Sequence, residues 1–113
     1  MSKLQVRRGD VVLYAAAGDY GKPRPGVIVQ SDLFNETHAS VTVCPLTSDV
    51  TGLRLFRVPM GPGEGTGLKS SSEAMVDKVV SIRRERIARK AGVLGRGDLA
   101  AIDEALRLWL GLD

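Results

Sequence analysis

Two short segments carry residue types able to work on an anion. The first is Arg24-Pro25-Gly26-Val27-Ile28-Val29, an arginine at the entrance to an apolar run. Pro25 fixes its own φ and biases Arg24 toward an extended backbone. The second is Cys44-Pro45-Leu46-Thr47-Ser48, an apolar run ending in two hydroxyls. If the two run ends are neighbours, a guanidinium faces two hydroxyls across a cleft. A guanidinium grips a phosphate or carboxylate through two parallel hydrogen bonds, and a hydroxyl adds a third. Each segment alone is commonplace, because Arg-Pro opens many strands and Thr-Ser closes many.

Other chemistries find little support. His38 is the only histidine and sits among Asn35, Glu36 and Thr37, in a stretch that reads as a loop. A lone loop histidine reads as solvent-exposed rather than as a general base. Cys44 is the only cysteine, so an internal disulfide is impossible and a zinc cluster within one chain is not expected. No cofactor is implied. The glycines of 61–67 lack the Lys-Ser/Thr ending of a phosphate-binding loop and read as a hairpin loop. No nucleophile-elbow sequence is present.

The elements that must position these residues are short. Asp10–Ala17, Pro25–Gln30, Ser40–Leu46, Arg54–Pro59, Ala74–Ile82 and Ile87–Val93 read as strands. Residues 31–35 suit one helical turn. Asp98–Gly111 carries Leu99, Ile102, Leu106, Trp109 and Leu110 on one helical face, with Asp98 as N-cap and Gly111 as stop. Trp109 is expected in the core. The pattern predicts a mainly β protein with α, a compact barrel or strongly bent sheet closed by a C-terminal amphipathic helix. With 113 residues, no repeat and no linker, the expectation is a single domain over 1–113.

Apolar residues make up 43% and charged residues 26%, the balance of an ordinary globule. No apolar run approaches the length of a membrane span, and no signal peptide is recognisable, so no membrane role and a cytoplasmic location are expected. The net charge of +3 is compatible with a nucleic-acid partner without requiring one. Its distribution is more telling. Arg83, Arg84, Arg86, Arg89, Lys90 and Arg96 face a single acid, Glu85, and Lys22 with Arg24 forms a smaller cluster.

The ordered spacing of the pieces adds specificity. Arg8-Gly9-Asp10-Val11-Val12 is followed by Arg24 through Asp32, then Asn35, then Pro45-Leu46-Thr47-Ser48. Gly67-Leu68-Lys69, Ser72, Asp77-Lys78, Ile82 and Arg86-Ile87 come next, before a terminal helix. From Arg7 to Leu112 this series resembles the MazF/PemK toxins of type II toxin–antitoxin systems. The resemblance implies an SH3-like β-barrel homodimer that cuts single-stranded RNA without a metal and is silenced by a cognate acidic antitoxin. By the same resemblance Arg24 and Thr47 are the catalytic pair, Ser48 is a neighbouring hydroxyl and Asp77 is an acidic substrate-binding position. Lys22, Tyr20 and Phe34 complete the expected substrate-binding set, the two aromatics as base platforms. Four features depart from the family pattern: Met75 replaces an arginine of some members, Lys78 replaces a glutamine, Val79-Val80-Ser81-Ile82-Arg83 lacks the arginine often found just before the Thr/Ser-Ile pair, and loop 18–23 is short. Two other readings share the barrel shape. One is a non-catalytic RNA-binding barrel. The other is a CcdB-like poison of DNA gyrase, echoed by the tail Trp109-Leu110-Gly111-Leu112-Asp113.

Overall fold

A computed structural model describes residues 4–16, 22–53 and 55–112. The strands are β1 (Asp10–Ala15), β2 (Pro23–Ile28), β3 (Ser40–Thr47), β4 (Arg57–Met60), β5 (Ser72–Met75), β6 (Val80–Arg83) and β7 (Ile87–Val93). The helices are α1 (Asp32–Asn35) and α2 (Arg96–Leu110). The sheet runs β4-β5-β3-β2-β1-β7, with β6 also paired to β3. It is strongly bent but not closed, so the barrel description holds only loosely.

Strand β3 is the backbone of that bend. Its first half pairs with β6, Val41 opposite Ile82, and its last two residues pair with β5, Thr47 opposite Glu73. The stretch 74–82, expected as one strand, is therefore two. A 3-10 turn at Val76–Lys78 carries the chain around the bend and buries Val76 there. Alternation within the strands splits the apolar residues between two clusters. Val11, Val27, Cys44 and Leu46 join Ile102 and Ala105 of α2 on one face. Val12, Tyr14, Ile28 and Val43 join Val41, Ile82 and Ile87 on the other. Period-2 side-chain direction requires this division once the sheet is covered on both sides.

The Arg8-Gly9-Asp10 opening works as a structural clamp. Arg8 donates to both carboxylate oxygens of Asp103 in α2 and, through Nε, to the Val29 carbonyl at 3.0 Å. Gly9 holds a φ of 94°, which its lack of Cβ permits, and its N–H reaches the Ile28 carbonyl at 2.8 Å. Asp10 is buried and accepts from the Arg7 N–H at 2.8 Å and from Lys90 at 3.2 Å. Helix α2 is thereby tied to β1 and β2.

The helix starts two residues earlier than Asp98, with Gly95 as an N-cap that makes no side-chain hydrogen bond. Asp98 instead lies in the first turn, where a negative charge complements the helix dipole. Gly111 ends the helix in the left-handed region, φ 68°, as expected. Trp109 is not core. It is 49% exposed and its ring lies 5.8 Å from that of Phe56. The buried stripe is Ile102 and Ala105, whereas Leu108, Trp109 and Leu110 are about half exposed or more.

Candidate active site

Antiparallel registry brings the two chemical segments together. Strands β2 and β3 pair with Gly26 opposite Pro45 and Val27 opposite Cys44. Arg24 and Thr47 each lie two residues beyond the last pair of that register, Gly26 with Pro45. Both border a cleft of about 510 Å³. Its floor is apolar, from Leu13, Leu46, Leu68 and Ala91, and Pro23 and Pro25 line the β2 side. Around this lie Lys22, Arg24, Lys69 and Arg89, with the hydroxyls of Thr47, Ser48, Ser70 and Ser72. Four cations and four hydroxyls thus surround a cleft whose lining, among the described residues, includes no aspartate, glutamate, histidine or cysteine.

Each wall is held from behind. The Asp49 N–H donates to Thr47 Oγ1 at 3.1 Å, so the hydroxyl is oriented while its own proton stays available to a ligand. Segment 67–70 is fixed by glycines. Gly67 has φ 74°, and a Cβ on Gly92 would come within 2.3 Å of the Gly65 carbonyl oxygen. The bare backbone of β7 therefore lets the 61–67 loop lie against it, with the Val93 N–H bonded to the Gly65 carbonyl at 2.8 Å. Lys69 reaches the cleft by that route.

The sequence pattern of the PemK-like, MazF-like toxins of type II toxin–antitoxin systems matches residues 7–110. The chain belongs to this family. It is 43% identical over 108 residues to a probable endoribonuclease MazF of Mycolicibacterium smegmatis, covering 95% of this chain and 98% of that one. It is 32% identical to endoribonuclease MazF9 of Mycobacterium tuberculosis, again over 95% and 98% of the two chains. Among solved structures, the M. tuberculosis toxin MazF-mt6 aligns with a TM-score of 0.79 at 26% identity, over 92% of this chain and 98% of its own. A mycobacterial endoribonuclease in complex with its cognate antitoxin shares the fold, with a TM-score of 0.80 at 21% identity over 96% and 97% of the chains. The relatives favour the ribonuclease reading over the gyrase poison and the inert barrel.

Within this MazF-like frame the expected site residues separate. Arg24, Thr47, Ser48 and Lys22 converge on the cleft. Phe34 does not line it. It stands on α1, 54% exposed. Asp77 is elsewhere too, gripped by Arg57 through contacts of 2.8 and 3.3 Å. Tyr20 lies outside the described residues. His38 is exposed, and its carbonyl accepts from Arg84 at 2.9 Å. Burial, with the Asp77 charge adding to it, pushes the Cys44 thiol up to about 12, so it offers no nucleophile near neutral pH. Lys69, Ser70, Ser72 and Arg89 border the cleft unforeseen. Arg89 was visible only as one of six cations in its run. Its cleft position depends on β7 pairing with β1, Arg89 opposite Leu13.

Glu73 is another unforeseen residue, buried directly behind the Thr47–Ser48 wall. Its carboxylate accepts from the Gly52 N–H at 2.8 Å and from the Thr51 hydroxyl at 2.9 Å, pinning the loop that follows Ser48. The Gly52 and Thr51 bonds, with Arg57 nearby, hold Glu73 below its ordinary value of 4.5. The Arg57 hydrogen bond holds Asp77 below 3.8. Both depressed carboxyls bind fewer protons when folded than when unfolded. Their stabilisation is complete above the ordinary values and is lost as pH falls through the lower folded-state values. Melting temperature is expected to hold near neutrality and fall below about pH 4.5. Glu73→Gln should melt lower at neutral pH and lose less on acidification. Parallel melting-temperature profiles for the two proteins would remove Glu73 from the acid response.

Proposed function

We propose that this chain is an endoribonuclease toxin that cuts single-stranded RNA by using the RNA's own 2′-hydroxyl, without a metal ion. The observation that carries the reading is the cleft ringed by cations and hydroxyls, with Arg24 and Thr47 both on its lining. A phosphodiester is the anion this lining suits, and among the described residues no carboxylate that could hold a metal is part of it.

The reaction asks little of the protein. The 2′-oxygen attacks phosphorus as its proton passes to solvent water, and a five-coordinate phosphorane forms. The bond from phosphorus to the 5′-oxygen then breaks, and that oxygen takes up a proton. The products are a 2′,3′-cyclic phosphate and a 5′-hydroxyl. Negative charge grows on the non-bridging oxygens along this path. Arg24 opposes that growth most strongly in the transition state, which is what raises the rate. Thr47 donates its hydroxyl to a phosphate or bridging oxygen. Ser48 and Lys22 hold the flanking RNA. Arginine stays protonated throughout, so its role is electrostatic.

The same reading includes a homodimer in the cytoplasm and inhibition by an acidic antitoxin. Leu55 and Leu108 line a second groove of about 590 Å³ between α2 and β4, next to the exposed Trp109. This apolar edge suits contact between copies. An antitoxin tail carrying carboxylates would compete with RNA for the cationic cleft. Incubating the protein with a long RNA in EDTA is the direct test. Discrete fragments at a short recurring sequence are expected. RNA that is bound but left whole would mean a non-catalytic barrel, and cleavage restored only by added metal would mean different chemistry.

A further inference from the structure

The cations of this chain are not equivalent. In the run 83–96, Lys90 is paired with Asp10 at 3.2 Å and Arg83 with Glu85 at 3.7 Å. Arg84 donates to the carbonyls of Asn35 and His38, and Arg86 to that of Ala15 at 3.4 Å. Arg96 begins α2. Arg89 differs from all of these, because it faces the cleft and has no carboxylate partner among the described residues. The same holds for Lys69 on the segment that the bare backbone of Gly92 admits.

Placement separates this pair from Arg24. Strand β1 lies between β2 and β7, so the Cα atoms of Arg24 and Arg89 start about 10 Å apart, two strand spacings. Leu13 of β1 sits between them, opposite Arg89 on one side and Pro25 on the other. The apolar floor of Leu13, Leu68 and Ala91 thus divides the cationic rim into two stations. Arg24 with Thr47 is one, and Lys69 with Arg89 is the other. A single phosphate held at the first leaves the second unneutralised.

We infer that Lys69 and Arg89 form a second phosphate station, which holds a phosphate of the RNA backbone adjoining the one presented to Arg24 and Thr47. This rests on the ribonuclease reading above and deepens it. The station supplies affinity and sets the position of the strand, while the chemistry stays at the first. Phosphate contacts position a strand without reading its bases. Loss of the station therefore weakens binding of every RNA sequence alike.

The test uses an RNA blocked by a 2′-deoxy nucleotide at the cut site for binding, and its all-ribose counterpart for turnover. Binding is measured by fluorescence anisotropy over a salt series. Lys69→Gln/Arg89→Gln should lower the slope of log affinity against log salt by about 1.4, since each single-strand phosphate contact contributes about 0.7. KM should rise on the order of tenfold, while kcat falls far less. Arg86→Gln, a neighbouring cation outside the cleft, should leave both close to wild type. Should the double variant not fold, Lys69→Gln alone, on an exposed residue, should take about half of the slope change. A wild-type slope and KM in a folded variant overturns the station, as does an equal loss of slope in Arg86→Gln. If wild type binds the RNA and never cuts it, the ribonuclease reading falls while the slope still decides the station. If wild type does not bind RNA, both fall.

Discussion

Replacing Arg24 by alanine should lower single-turnover RNA cleavage by about 10² to 10³-fold and leave the fold intact. The side chain is exposed at the start of β2, and the clusters that stabilise the sheet do not include it. Truncation therefore creates no core cavity, and the change in melting temperature should be small. The effect on rate is large for a different reason. A guanidinium beside the phosphate gains interaction energy as charge moves onto the non-bridging oxygens, so its loss falls on the transition state more than on bound RNA. The loss should appear in kcat more than in KM, the reverse of the pattern expected for Lys69 and Arg89. Arg24→Lys restores the charge without the two-pronged donor geometry and should recover only part of the rate. Wild-type cleavage by a folded Arg24→Ala protein would remove Arg24 from the chemistry.

The strands around the cleft were legible because their patterns are local. Val11-Val12, Val27-Ile28 and the alternation of Ser40–Leu46 each state a strand and its two faces without reference to the rest of the chain. Pro25 was compatible with the start of a strand and Pro45 with the end of one, whereas Pro23, expected in the loop, is the first residue of β2. The resemblance then joined segments that no local pattern could join, and Arg24 and Thr47 both line one cleft.

What was missed depends on long-range pairing. The break between β5 and β6 is invisible in Ala74–Ile82, because it exists only where β3 exchanges one neighbour for another. Arg89 and Lys69 reach the cleft through the β1–β7 register and the Gly92 seat, neither of which leaves a mark within a few residues of the cations. Trp109 misled because a helical face defined by 3.6-residue periodicity does not say how far the supporting sheet extends. Asp77 is the instructive case among the proposed substrate contacts. Sequence position assigns it to RNA, whereas its carboxylate here closes a pair with Arg57, a residue whose partner no spacing rule could have indicated. That pair supports the turn behind β5, and Asp77 is not among the described residues that line the cleft.

An RNA carrying one 2′-deoxy nucleotide at the scissile position should resist cutting there by several orders of magnitude, while binding with nearly unchanged affinity. Among the described residues the cleft lining carries cations and hydroxyls but no thiol, and no carboxylate or imidazole that would activate one of those hydroxyls to attack phosphorus. The buried Cys44 is held as a thiol by its pushed-up value of about 12 and faces the core. If the protein lends no nucleophile, the substrate must bring one, and the 2′-hydroxyl is the group already placed beside the phosphorus. Removing that oxygen deletes a reactant, which is a larger loss than removing any one stabilising contact. The phosphates that Arg24, Lys69 and Arg89 are proposed to grip are untouched, so affinity should persist at a given salt concentration. The measurement pairs a cleavage time course with anisotropy on the same oligonucleotide. Efficient cutting at the deoxy position would mean that water or a protein side chain attacks, and the mechanism built on Arg24 and Thr47 would have to be replaced. Weak binding by the deoxy RNA would instead place the 2′-hydroxyl among the recognition contacts, and the cleavage result would then have to be read at saturating protein.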